Sequence, residues 1–213
     1  MSIALTALAA GLAALILTRW MRAVAGTDSA WLRSGLHAVL AAAGGAGAAV
    51  LADGWVELVT FAVLALACAL LLVIDLAAYR LPDIIVGPMY PVLFLGLAIA
   101  AAVSGDWARL GRAATAMLVV TVVYFVLAYV APSGLGLGDV KLSGLLGAFL
   151  GWLGWSQTLL GLLAGFALSA LTASILLLAT RATRHSEFPF GPWMIAGSVL
   201  GAAFGPTVFP GIG

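Results

Sequence analysis

The chain has 213 residues, 64% of them hydrophobic and 8% charged, with a formal net charge of +1. A soluble domain carries about a quarter charged residues. So few polar groups cannot cover a water-soluble globule, and the composition is that of an integral membrane protein. A single cysteine, Cys68, leaves no internal disulfide and no thiolate metal cluster.

A membrane-crossing helix needs about 20 apolar residues. In chain order, eight runs approach or meet this length: 2–18, 36–52, 56–74, 84–103, 113–131, 139–155, 158–180 and 191–209. The first is short, the second contains Gly44-Gly45-Ala46-Gly47, and the sixth is rich in glycine. The runs are continuous rather than alternating, which predicts helices and not barrel strands. The expected fold is an all-α polytopic bundle of about eight transmembrane helices. Arg19 and Arg22 follow the first apolar run instead of preceding it. That is the order of a retained first helix, not of a cleaved signal peptide.

Basic residues concentrate on the inner side of a membrane. An outside N-terminus puts Arg19, Arg22, Arg33, Arg80, Lys141, Arg181 and Arg184 in inner loops, and only Arg109 and Arg112 in outer ones. The opposite orientation reverses this bias. Trp55, Trp107, Trp152 and Trp155 then fall at outer boundaries and Trp20, Trp31 and Trp193 at inner ones, where interfacial tryptophans belong. The longest inner connection, 19–35, is too short for a folded soluble domain. No internal repeat is visible, so 1–213 reads as a single transmembrane domain.

The acids are few. Asp28, Asp53 and Asp106 stand in polar loop contexts that suit turns and helix caps. Glu57 opens the third run, where an acid favours a helix N-terminus. Glu187 beside Arg184 reads as a solvated loop charge. Asp75 differs: it ends the run Leu-Leu-Leu-Val-Ile-Asp with no polar lead-in. A carboxylate at the edge of hydrocarbon is costly and by default functional, unless it pairs with Arg80 or snorkels to the surface. Asp139 follows Gly134-Leu135-Gly136-Leu137-Gly138 at the matching depth, as a helix cap or as a second active carboxylate. Asp83, after Pro82, either caps the fourth helix or belongs to the site.

Two carboxylates brought together on one face would share a proton, because like charges a few ångströms apart cannot both ionise cheaply. One would act as general base on a water and the other would polarise a carbonyl. This aspartic-protease arrangement calls for no metal and no cofactor. The glycine run is not a phosphate cradle, since the P-loop spacing before Lys-Ser/Thr is missing. Neither a nucleotide nor a nucleic acid is indicated as partner. His37 and His185 are isolated, and no His-Glu-x-x-His zinc motif is present.

Three stretches then carry a family resemblance. Ile74-Asp75-Leu76 with Arg80-Leu81-Pro82-Asp83, Gly134-Leu135-Gly136-Leu137-Gly138-Asp139-Val140-Lys141, and Pro189-Phe190-Gly191-Pro192 occur in this order. Together they resemble the peptidase part of the prepilin peptidases, also called type IV leader peptidases, across roughly residues 50–205. Gly136-Leu137-Gly138-Asp139 matches the GxGD signature shared with presenilin-like intramembrane proteases. The resemblance implies that Asp75 and Asp139 are the catalytic pair. It also implies cleavage of the short basic leader of pilin-like precursors at the cytoplasmic face of a bacterial or archaeal inner membrane.

Asp83, Arg80, Gly136, Gly138, Lys141, Pro189 and Gly191 become candidate supporting or substrate-binding residues. Gly136 and Gly138 would leave a slot beside Asp139, and Lys141 would snorkel or steady its charge. Pro192 belongs in the first turn of the last helix. Many members also methylate the new N-terminus, using an insert with two Cys-x-x-Cys pairs that this chain lacks, so peptidase activity without methyl transfer is expected. The competing class is a small proton- or cation-coupled transporter built on the same aspartates. It would call for inverted repeats, and none is visible.

Overall fold

The computed structural model describes residues 2–130, 135–179 and 189–212. Every one of the eight apolar runs is a helix, and two short helices add to them. In order they are α1 (Ile3–Ile16), α2 (Thr18–Ala25), α3 (Ala30–Arg33), α4 (Leu36–Leu51), α5 (Trp55–Ala78), α6 (Asp83–Ser104), α7 (Trp107–Val130), α8 (Leu137–Leu153), α9 (Trp155–Ala179) and α10 (Gly191–Val208). No strand occurs among the described residues. Gly134, Arg181, Arg184, His185 and Glu187 lie outside them.

Helices α5, α6, α7 and α9 are long and apolar enough to cross a membrane. α1 and α2 make a fifth span if the pair, bent by 52°, is counted as one. The protein is therefore all-helical and polytopic. The expected inner loop 19–35 is itself largely helical. Met21, Ala25 and Leu32 are buried there, while Arg19, Trp20, Trp31 and Arg33 are exposed. This alternation of inward apolar and outward basic or aromatic residues makes short amphipathic helices, which a search for long apolar runs passes over.

The chain divides into two compact units, Met1–Gly111 and Arg112–Gly213. In the first, α1, α4 and α5 meet at a core of Ala10, Ala14, Ala41 and Ala69. The glycines of the second apolar run have a physical reason there. A methyl group on Gly45 would stand 2.8 Å from both Ala10 Cβ and the Thr6 carbonyl oxygen, and one on Gly44 would stand 2.7 Å from Ala65 Cβ. Such close backbone approach is how helices associate in lipid. At the α1–α2 bend, Thr18 Oγ1 lies 2.8 Å from Nε2 of the buried His37.

Arg109, expected in an outer loop, is instead in the first turn of α7. The helix starts six residues before the expected 113 because the Asp106 carboxylate accepts the Arg109 backbone N–H at 3.2 Å. The Arg109 guanidinium then reaches Asp53 at 2.9 Å and the buried Glu57 at 3.2 Å.

In the second unit, α9 and α10 pack backbone to backbone. A methyl on Gly201 would come 2.5 Å from the Gln157 carbonyl oxygen and 2.7 Å from the Gly161 nitrogen. Gly147 and Gly151 play the same part for α8 on α7, with Ala116 as the neighbour of both. Arg112, also expected in a loop, lies in α7. It donates through Nε to the Gly151 carbonyl at 2.7 Å and through Nη2 to the Trp152 carbonyl at 3.0 Å. The last carbonyls of a helix have no partner within it, so Arg112 closes the end of α8.

Candidate active site

The first unit carries the Asp75 stretch. Asp75 does not end its helix, because α5 runs on to Ala78. The carboxylate thus sits in the last turn of a 24-residue apolar helix, and the residue is only 4% exposed. Burial of this degree excludes the snorkelling alternative. α5 stops at Tyr79, which adopts left-handed backbone with φ 52° and donates its N–H to the Asp75 carbonyl at 2.9 Å. Arg80 turns toward α2. Its Nη2 donates to the carbonyls of Val24 at 2.9 Å and Ala25 at 2.8 Å.

Pro82 occupies the N-cap position of α6, and Asp83 is the first helical residue. The expected capping role of Asp83 is therefore corrected. Its exposed carboxylate lies one position inside the helix, in the first turn, where the helix dipole favours negative charge.

The second unit carries the other two stretches. α8 starts two residues earlier than expected, with Gly136 in extended backbone at the N-cap (φ −81°, ψ 156°). Asp139 is therefore the third residue of the helix, not its cap. Its Oδ2 accepts the Gly136 N–H at 3.0 Å, while its own N–H donates to the Gly136 carbonyl at 3.1 Å. This is the backbone-reaching half of a capping box. The Gly136 N–H is thus spent on Asp139. Gly138 and Asp139 are half-buried and Lys141 is exposed.

Pro189 is half-buried, Phe190 stands at the N-cap of α10, and Gly191 and Pro192 open that helix in buried positions. Proline suits this first turn because its missing N–H has no helical partner there. The Phe190 ring lies 6.0 Å from Tyr124 and 5.5 Å from Phe166, and Tyr124 and Phe166 stack at 5.1 Å. Tyr124, 3% exposed, also lies within electrostatic reach of Asp139. The Pro-Phe-Gly-Pro stretch thereby packs its phenyl ring against Tyr124 and Phe166. Sequence reasoning missed Tyr124 and Phe166. The available signal was a phenol in the middle of the fifth apolar run, since a buried tyrosine hydroxyl usually seeks a polar neighbour.

A chain of several long apolar helices, one of which buries a carboxylate in its last turn, belongs to the class of polytopic helical membrane proteins. The particular family follows from its residues. A model of the type IV leader peptidase family matches residues 62–205, well over half of the chain, and the chain belongs to that family. It is accordingly a multi-pass membrane peptidase of type IV leader peptidase kind, acting on protein substrates among lipids. No curated protein matches the chain, and neither does any solved structure.

Proposed function

We propose that the chain is an aspartic endopeptidase in which Asp75 and Asp139 form the catalytic pair. The observation that carries this reading is the nearly complete burial of Asp75 in a 24-residue apolar helix, in a chain whose family match spans both aspartates. Burying a carboxylate in such a place is costly, and a residue retained there at that cost is by default functional. In the reaction, the ionised member takes a proton from a water. The water oxygen adds to the scissile carbonyl carbon while the protonated member hydrogen-bonds the carbonyl oxygen. Collapse of the tetrahedral adduct breaks the C–N bond, and the proton taken from water passes to the leaving amine. Oδ2 of Asp139 holds the Gly136 N–H, which supports a fixed orientation for that carboxylate.

The substrate is the short basic leader of a pilin-like precursor, cut at the cytoplasmic face just before its hydrophobic helix. The exposed Asp83 at the start of α6 is suited to receive the leader's positive charge. Gly138, Lys141, Pro189 and Gly191 support the Asp139 side. The two units act as a single peptidase domain, in the inner membrane of a bacterium or archaeon, with eight crossings and the N-terminus outside. The enzyme cleaves without methylating, since the chain has one cysteine and methylating members use two Cys-x-x-Cys pairs.

Cleavage of a purified precursor tests the assignment. Asp75→Asn and Asp139→Asn should each lose at least about a thousandfold in rate, as removal of one member of an interdependent catalytic group does, while melting like wild type. Cleavage near the wild-type rate in either variant overturns the pair.

A further inference from the structure

The turn that joins Asp75 to Asp83 is held from outside itself. Tyr79 carries a side chain in left-handed backbone, a conformation that only glycine adopts at ease. Such a turn persists only where its surroundings over-determine it. The next residue, Arg80, supplies the hold. One guanidinium nitrogen bridges the carbonyls of Val24 and Ala25, two of the terminal carbonyls of α2 that have no partner within their own helix.

α2 is fitted to receive this grip. It ends in Gly26 with φ 65°, whose N–H closes on the Arg22 carbonyl at 3.1 Å. A methyl group on Gly26 would stand 3.2 Å from Arg80 Nη2, close enough to disturb the contact. Arg22 Nε donates to the Leu32 carbonyl at 3.2 Å, tying α2 to α3. Met21, Ala25 and Leu32 are buried at 2% exposure or less. α2 and α3 therefore form a buttress with an apolar base, and Arg80 fastens the turn to it.

We propose that Arg80 is a positioning residue, whose grip on the end of α2 fixes the Tyr79–Pro82 turn and with it the last turn of α5 that bears the Asp75 carboxylate. The inference rests on the peptidase reading for its kinetic consequence and not for its structural one. The Arg80 guanidinium is engaged by the α2 carbonyls, so its loss acts on kcat through Asp75 and leaves KM nearly unchanged.

Arg80→Ala should lower kcat on the order of tenfold to a hundredfold, the scale of a small misplacement of a reacting group. Arg80→Lys, a point donor without the planar fork, should fall between. Gly26→Ala crowds the same contact from its other side and also strains the left-handed end of α2, so the comparison is made on kcat and not on melting. It should reproduce the kcat loss, and the double variant should be no worse than the more severe single one, as expected for residues that share one interaction. Hydrogen exchange over residues 75–86 should rise about tenfold in Arg80→Ala and in Gly26→Ala.

Wild-type kcat or unchanged exchange in Arg80→Ala overturns the proposal. So does a rise in KM at constant kcat, which would make Arg80 a substrate contact, and so do additive effects of the two substitutions. The Asp75→Asn and Asp139→Asn variants, measured alongside, separate the cases. If they stay active the catalytic pair is wrong and the exchange data alone judge Arg80. If they are inactive and Arg80→Ala is not impaired, only the positioning role fails.

Discussion

Glu57 is as deeply buried as Asp75, at 4% exposure, yet its surroundings give it a different role. Arg109 stands 3.2 Å from it and also binds the exposed Asp53 at 2.9 Å. The Glu57 carboxylate further accepts the Asp53 backbone N–H at 3.0 Å. A buried acid with a guanidinium and a backbone donor is a structural ion pair. Removing one partner leaves a buried charge uncompensated, which costs about 3 kcal/mol or more. Arg109→Ala should therefore lower thermal stability by about that amount in detergent or lipid. Arg109→Ala combined with Glu57→Gln should recover most of the loss, because no lone charge then remains. Equal melting of Arg109→Ala and wild type would show that Glu57 is not held this way.

The acids also show what a sequence discloses at this scale. Asp75 stood out because no polar residue leads into it, and its burial agrees. Glu57 reads in the sequence as an ordinary helix-start acid, because its partner Arg109 is far away in the chain and outside the apolar run of α7. Pairings between remote residues are set by packing, which no local pattern encodes.

At the scale of helices, all eight apolar runs were legible, since membrane helices announce themselves by continuous hydrophobicity. Their ends were less so. α7 starts early because Asp106 caps it, and α8 starts early because Gly136 does. Both caps consist of backbone and short side chains inside what read as loops. Gly44 and Gly45 of α4, part of a run that reads as a weakness in the sequence, are instead contact points with α5 and α1.

The seam between α9 and α10 was legible in principle, because Gly197, Gly201 and Gly205 recur every four residues and so do Gly161 and Gly165. The spacing becomes meaningful only when the opposing backbone is seen against it. A methyl on Gly201 would strike the Gln157 carbonyl oxygen and the Gly161 nitrogen, and backbone cannot swing aside as a side chain can. Gly201→Val should destabilise the protein by about 2 kcal/mol or more, as overpacking does, with a clear fall in melting temperature. Gly47→Ala is the control. Its added methyl would meet no atom within 4 Å, so it should melt within about 0.5 kcal/mol of wild type.

For the molecule as a whole, the decisive question is how many times the chain crosses. α1 has 14 residues and α4 has 16. At about 1.5 Å per residue these helices span roughly 21 and 24 Å, short of a hydrocarbon core of about 30 Å. α4 nonetheless packs on α1 and α5 through Gly45 and Gly44, and hydrophobic mismatch carries only a modest cost. The proposed placing of the basic residues on the inner side rests on α4 crossing, since without it every later loop changes side.

Cys68 makes the question accessible to experiment. It is the only cysteine in the sequence and it is buried, so Cys68→Ala should give a folded, cysteine-free background. A cysteine placed at Ser29, before α4, should then react with an impermeant maleimide only after the membrane is opened. One placed at Ser104, at the end of α6, should react in intact cells. Both positions are solvent-facing or nearly so, which makes accessibility a matter of side alone. If α4 does not cross, the two positions lie on the same side and label together. That outcome would refute the eight-crossing arrangement, and if both positions react only after the membrane is opened it would also put Asp75 at the outer face.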